Sequence, residues 1–340
     1  MTIDIVVFAA SLLLIGGLLH LVPRLTRPDL FFAVTVAPDF VATPEARRIV
    51  RAFRGVVWTS TLAAIALGAV THREPAAILL QLAGFLLAFL VARRQALGHA
   101  VAQNPLIEVD LTAPPERLPG GLIVALLPSC SLIALAIWVA FNWDELPKRL
   151  PVHWSVTGPD RWVAASPGTV FGLLASNLFL CLLMVGGAWG VLRWSRRISM
   201  TGPRAERERE FRRRLAQLLI IVEYFLAVLV LLPFFQTSAK VTTLAAAALA
   251  VLGVAFLLIL VRAGQGGSRR GLAAGAGANG DRTPDAAWKL GLIYFNPADP
   301  SILIEKRFGI GYTINFGNQW SWLVLALIVI PLIVEWAFLR

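Results

Sequence analysis

The sequence predicts an all-α integral membrane bundle of about eight transmembrane helices, with a small β element on its cytoplasmic side. Three observations point to it. Hydrophobic residues make up 57% of the 340 and charged residues only 15%, with a mean hydropathy of +0.72, which no ordinary soluble domain shows. Apolar runs of the length a bilayer core demands recur at about 5–23, 55–71, 76–92, 121–141, 168–190, 215–235, 241–261 and 321–339. The basic residues then alternate between the loops: 25 of the 31 Lys and Arg fall in the loops after runs one, three, five and seven.

Each run is read as a helix, because a backbone in hydrocarbon must satisfy its hydrogen bonds within its own segment. The first run begins within the N-terminal MTIDIVVFAA, which has an acidic residue and no basic flank before the run. It therefore reads as a spanning helix and not as a cleavable signal. Lys and Arg concentrate on the cytoplasmic face. The bias therefore puts both termini and loop 142–167 outside. Trp138, Trp143, Trp154, Trp162 and Trp336 then fall near the outer interface, and Trp58, Trp189, Trp194, Trp320 and Trp322 near the inner one, as amphipathic indoles prefer.

The inner loops hold the irregular elements. Residues 195–214 are basic and helix-prone, with Glu208–Arg212 and Glu210–Arg214 at i,i+4 spacing. They read either as a solvated extension of the sixth helix that fixes topology or as a patch for anionic lipid head groups, the first being the simpler account. Residues 263–287 are a Gly/Ala linker, whose Gly275, Gly277 and Gly280 lack the strand and helix that a dinucleotide fingerprint requires. The segment 288–320 changes character: short β-forming runs at 290–295, 301–306 and 311–316 follow a turn signal, Asn296-Pro297-Ala298-Asp299-Pro300. Two more such runs, at 30–37 and 106–111, lie on the same side, so a small composite sheet is expected there. The chain divides into a seven-helix membrane region (1–262), the linker (263–287), a β-rich segment (288–320) and an eighth helix (321–340).

Several function classes fall away. The net charge of +11 is accounted for by loop topology, so no nucleic-acid partner is expected. Cys130 and Cys181 lie inside apolar runs and make no disulfide framework. His20, His72, His99 and His153 are scattered, and His153 with Asp144, Glu145 and Asp160 is a weak donor set, so neither metal nor cofactor is expected. No spacing reads as a catalytic motif. Within the membrane, Glu223 falls near the midplane of the sixth run, where an ionisable group is a functional candidate by default. Its alternative is a structural carboxyl bonded to a neighbour such as Gln81 or Asn177.

Loop 142–167 contains LPVHWSVTGPDRWVAAS. Leu150-Pro151 reads as extended and Gly158-Pro159-Asp160 as a turn, with Trp154 and Trp162 flanking it and His153 near Asp160. The loop is either a seal between helices or a recognition surface made by His153, Trp154, Asp160 and Trp162.

Here the residues resemble a family. Pro151-x-His153-Trp154 followed by Gly158-Pro159-Asp160-Arg161-Trp162 is similar to the extracytoplasmic loop of bacterial membrane proteins of unknown function that include the Sdp immunity type, which protect a cell from a secreted toxin and signal its presence. Where that family commonly reads Gly-x-Pro-Asp, this chain reads Gly158-Pro159-Asp160, and Ser155 stands where Asn or Asp is common. Tyr294-Phe295-Asn296-Pro297, Lys306-Arg307-Phe308-Gly309-Ile310-Gly311 and Asn315-Phe316-Gly317 resemble a second uncharacterised domain of the same proteins. The resemblance implies an envelope sensor or toxin-immunity-type protein, with a peptide toxin outside or a cytoplasmic regulator as partner. Two other readings stay open: a proton-coupled secondary transporter using Glu223, and a membrane enzyme acting on lipid.

Overall fold

The computed structural model describes residues 3–27, 29–37, 39–101, 116–155, 158–195, 202–231 and 283–338, with a few positions between 234 and 262. Six described helices are long and apolar enough to cross a membrane, which marks a multi-pass membrane protein. They are α1 (Ile3–Leu25), α2 (Pro44–Thr71), α3 (Glu74–Leu97), α4 (Gly121–Phe141), α5 (Pro167–Arg193) and α6 (Gly202–Leu231). A seventh helix, α7 (Gln319–Phe338), occupies the last expected span. It is apolar over Gln319–Ile330, a stretch shorter than the six. The expected span at 241–261 lies almost wholly outside the described residues, so six spans are established among the described residues and the expected eight are not confirmed.

The chain forms two compact units. One holds residues 1–110, 196–208 and 260–318, and the other 111–195, 209–259 and 319–340. In the first, α2 starts at a capping Thr43, whose side chain accepts the Ala46 N–H at 3.1 Å. Pro44 follows in the first turn, where its missing N–H costs nothing. At 28 residues α2 is about 42 Å long at ~1.5 Å per residue. It begins eleven residues before the apolar run at 55–71, because Arg47 to Arg54 are good helix formers although too polar for hydrocarbon. The face of Ile49, Phe53, Val57, Thr61, Ala64 and Gly68 is buried. So is the face of α3 carrying Ala77, Gln81, Ala88, Ala92 and Ala96. Small residues let these backbones approach closely. Gln81 joins three helices, its Nε2 donating to Leu12 O at 2.8 Å and to Thr61 Oγ1 at 2.9 Å.

One end of this unit carries the β elements. Strands β1 (Leu30–Phe31) and β2 (Val34–Thr35) pair as a hairpin, not as the single strand expected over 30–37. Phe32 and Ala33 between them have φ of 46° and 63°, the consecutive left-handed pair of a tight hairpin turn. Arg93 Nη1 donates to both of their carbonyls, at 3.4 and 2.8 Å, which offsets the cost of that conformation. Near the C-terminus, β5 (Trp288–Lys289) pairs with β6 (Ile293–Tyr294), and β7 (Leu303–Glu305) with β8 (Tyr312–Ile314). The expected composite sheet is absent among the described residues: each sheet has two strands, and only single bridges, Val36–Ala100 and Tyr294–Asn315, link them further. The strands are too short to extend a ladder, since Leu290, Gly291, Gly309 and Gly311 interrupt them with positive φ. The segment 106–111 lies outside the described residues.

Phe308 anchors this C-terminal element. Its ring sits 4.6 Å from Phe89 and 5.3 Å from Phe32, with Phe53 and Phe85 just beyond. Arg27 reaches Glu305 at 3.2 Å, and Thr35 Oγ1 meets Asp285 Oδ1 at 3.4 Å. Thr283, Asp285 and Ala287, within the stretch read as linker, thus take part in the folded element, Thr283 and Ala287 being buried.

In the second unit α4, α5 and α6 pack around Leu132, Leu135, Val139, Leu174, Cys181, Ala227 and Val230, and α7 lies against α5. Ser166 caps α5, accepting the Thr169 N–H at 3.2 Å. On α6, the pair Glu210–Arg214 forms at 2.6 Å, and Arg212 donates through Nε and Nη2 to Glu116 Oε1 at 3.1 and 2.7 Å. Residues 196–201, the start of the basic stretch, lie outside the described residues.

Candidate functional site

Between α4 and α5 the chain folds into a β-hairpin, β3 (Arg149–Ser155) with β4 (Gly158–Ala164). Residues 156–157 lie outside the described residues. The hairpin is seated on its helices through apolar side chains: Leu150 is fully buried, packed with Val139 and Val170, and Val163, Trp143 and Leu146 lie against the same cluster. Trp143 stacks on Phe171 with ring centroids 6.2 Å apart.

The register places the four candidate recognition residues. Pro151 stands opposite Trp162, His153 opposite Arg161, and Trp154 opposite Pro159. Val152 and Asp160 are left as the extra residue on either strand, so the hairpin carries two bulges in close succession. His153 therefore faces Arg161 in the ladder and Asp160 has no Cα partner. The expected turn at Gly158-Pro159-Asp160 is instead the beginning of β4. Proline is tolerated there because both strands of a two-stranded hairpin are edges and the bulge releases a ladder bond. Trp162 is 51% exposed, and Arg161 is exposed beside it. Bulges re-aim side chains and end pairing, so this tip presents a cation and an indole on an edge that pairs with nothing else among the described residues.

A second feature lies inside the bundle. Glu223 on α6 is fully buried. Ser129 Oγ donates to its Oε1 at 3.0 Å, and its Oε2 is buried without a hydrogen-bond partner among the described residues. The expected partners are engaged elsewhere: Gln81 within α1–α3, and Asn177 with Cys181 Sγ at 3.7 Å. The reason for this placement is Pro128 in α4. A helix proline supplies no N–H to the carbonyl four residues back, which is that of Val124. Tyr224 OH donates to that carbonyl at 2.8 Å. Pro128-Ser129 on α4 thus meets Glu223-Tyr224 on α6 in one polar contact. The sequence signal was available in Pro128, which orphans the Val124 carbonyl and so calls for a donor from another helix.

The C-terminal motif residues bond mainly to one another. Asn315 is fully buried. Its Nδ2 donates to the carbonyls of Asn296, Asp299 and Ser301 at 3.0, 2.9 and 3.2 Å, and its Oδ1 accepts from the N–H of Asn296 and of Gly317, both at 3.0 Å. Tyr294 OH donates to Asp299 Oδ2 at 3.0 Å and accepts from Asn296 Nδ2 at 3.1 Å. Gly317 is required because a Cβ there would lie 2.6 Å from the nitrogen of Pro297. The Lys306 N–H closes the loop onto Gly311 O at 3.0 Å, across Gly309 and Gly311 at φ of 88° and 106°. Arg307 is buried, donates to Asp285 and to Thr283, and lies 5.4 Å from the Trp288 ring. The sequence motif contains Arg307 and Phe308, the plug beside it, but not Thr283 and Asp285, the partners of Arg307.

Two family models match the chain. A domain of unknown function, DUF1648, matches residues 131–175, which run from α4 through the hairpin into α5. A family of unknown function, DUF5808, matches residues 297–322, the element built around Asn315 and the start of α7. No curated protein and no solved structure matches the chain.

Proposed function

We propose that the protein is an envelope sensor or toxin-immunity-type protein of the bacterial cytoplasmic membrane. Its β3–β4 hairpin recognises an extracytoplasmic ligand or partner through His153, Trp154, Asp160 and Trp162. The observation that carries this reading is the doubly bulged register of a hairpin whose base is sealed onto the helices while Arg161 and Trp162 stay exposed. A loop that only closed a helical bundle would need the seal and not the exposed edge. Main-chain edges with flanking side chains are a common means of gripping an extended peptide, and a peptide toxin is such a ligand. The loop's charge environment supports the outward side, and the likeness to the Sdp immunity type supports the class. A cytoplasmic regulator would then read the state of the bundle from the other side. The test is the double substitution His153→Ala with Asp160→Ala. It is expected to abolish protection or signalling while thermal stability in detergent stays at the parental value. Parental stability together with parental protection against envelope peptides would leave the hairpin as a cap only.

The buried Glu223 favours a second reading, a proton-coupled transporter. Its carboxyl has one oxygen bonded to Ser129 and one unbonded. Under this reading Glu223→Gln abolishes activity without affecting insertion. Equal activity of mutant and parent across the pH range eliminates it.

A further inference from the structure

A cavity of about 900 Å³ opens between the end of α1 and the start of α2. Its wall is basic: Arg24, Arg47, Arg51 and Arg54 all line it, and no acidic residue among the described ones does. Arg47, Arg51 and Arg54 are spaced i, i+4, i+7, which is one stripe of α2. Arg27 also lines the cavity, but its charge is met by Glu305 and Asp29 at 3.2 and 3.5 Å. Glu45, the acid nearest in sequence, is held by Arg48 and His99. Among the described residues no acid pairs with Arg24, Arg47 or Arg51. Arg54 donates through Nε to His20 O at 3.3 Å, while its Nη2 is buried without a partner. Arg24 stands close enough to add its repulsion to that of Arg54. Like charges gathered in a partly enclosed cavity, one of them with an unsatisfied buried donor, are an incomplete arrangement without an anion.

The remaining lining is apolar, with Leu30 and Phe31 buried as the floor and Val41 and Val50 beside them. The N-terminus of α2 contributes its dipole to the same space. The two helices that frame the cavity are both long and apolar enough to cross a membrane. A cavity with a guanidinium rim and an apolar floor, at the end of spanning helices, matches an amphiphile: a phosphate head and the first carbons of an acyl chain. We propose that this cavity is a binding site for an anionic phospholipid, with Arg47, Arg51 and Arg54 on the phosphate and Phe31 and Val50 against the chain. The site is independent of the hairpin and of the function proposed for it. It is also distinct from the basic stretch of α6, to which the sequence alone would assign anionic lipid.

Native mass spectrometry of the full-length protein, released from mild detergent loaded with equal phosphatidylglycerol and phosphatidylcholine, tests this. The parent retains phosphatidylglycerol in preference. The double variant Arg47→Gln with Arg51→Gln, two exposed side chains with no partner to lose, lowers that retention by about 30-fold and melts at the parental temperature. The matching variant Arg209→Gln with Arg213→Gln on α6 retains lipid like the parent. Undiminished retention in the first variant, or loss only in the second, overturns the proposal. Displacement of the lipid by millimolar inorganic phosphate overturns it too, since the cavity would then serve a soluble phosphate and the apolar floor would have no role.

Discussion

Asn315 is where the C-terminal element is most sensitive to a single atom. Three carbonyls converge on its amide nitrogen and two N–H groups on its oxygen. An asparagine is the one side chain of this size that offers donors and acceptors on opposite atoms. Asn315→Ala strands five backbone groups in a buried place, and each buried unsatisfied group costs about 1–3 kcal/mol. Asn315→Asp keeps the shape but sets a carboxylate against three carbonyls. Both substitutions are expected to destabilise the protein by at least about 3 kcal/mol, the aspartate more than the alanine, as read by thermal denaturation in detergent. Lys306, in the same sequence motif, is exposed, and Lys306→Gln should leave the melting temperature where it is. The motif therefore mixes residues that hold the element together with residues that do not. Trp162 makes the complementary point, being half exposed on a hairpin whose partner strand is otherwise anchored by the buried Leu150.

Among the elements, those set by local pattern were legible in the sequence. The apolar runs that lie within the described residues became helices, and the Asn296–Pro300 turn is closed by the Asp299 N–H on Asn296 O at 3.2 Å. The strands near 301–306 and 311–316 pair as β7 and β8. What failed did so for identifiable reasons. The run at 30–37 looks like one strand because Phe32 and Ala33 are good β or neutral residues, and nothing in them announces a left-handed turn. It is imposed by Arg93, some sixty positions away. Gly158-Pro159-Asp160 looks like a turn because proline and glycine weaken strands, yet a two-stranded hairpin has no interior ladder for proline to break. The start of α2 lies beyond its hydropathy, since arginines extend a helix that hydrocarbon cannot. The same extension builds the basic cavity, so hydropathy alone does not reveal that concavity. Of the candidate site, the loop was legible as the place to look. Its bulged register was not, because it depends on pairing across the hairpin.

At the scale of the whole molecule the open quantity is direction. The basic bias of 25 to 6 predicts that the hairpin faces out and the Phe308 element faces in. In a background with Cys130→Ser and Cys181→Ala, a membrane-impermeant thiol reagent added to intact cells should modify Ser155→Cys and not Ser268→Cys. Labelling of the second and not the first would invert the molecule and with it the proposed sensing. Within the first unit the parity is already fixed by structure. The end of α1, the start of α2 and the end of α3 meet at one end, where Val101 N–H donates to Thr35 O at 3.0 Å.

The seating of Phe308 among Phe32, Phe53 and Phe89 has a consequence for synthesis. The first three helices leave the ribosome with an aromatic socket that is vacant, and its plug is made about 200 residues later, on the order of ten seconds or more at usual elongation rates. During that interval the socket must be shielded or must wait half-formed. A nascent chain that stalls before Phe308, or loses its tail to a protease, keeps the socket open, with Arg27 and Glu305 parted as well. Phe308 can thus close the socket only once all the preceding chain has been made, and a copy that ends before it leaves Phe32, Phe53 and Phe89 without that ring.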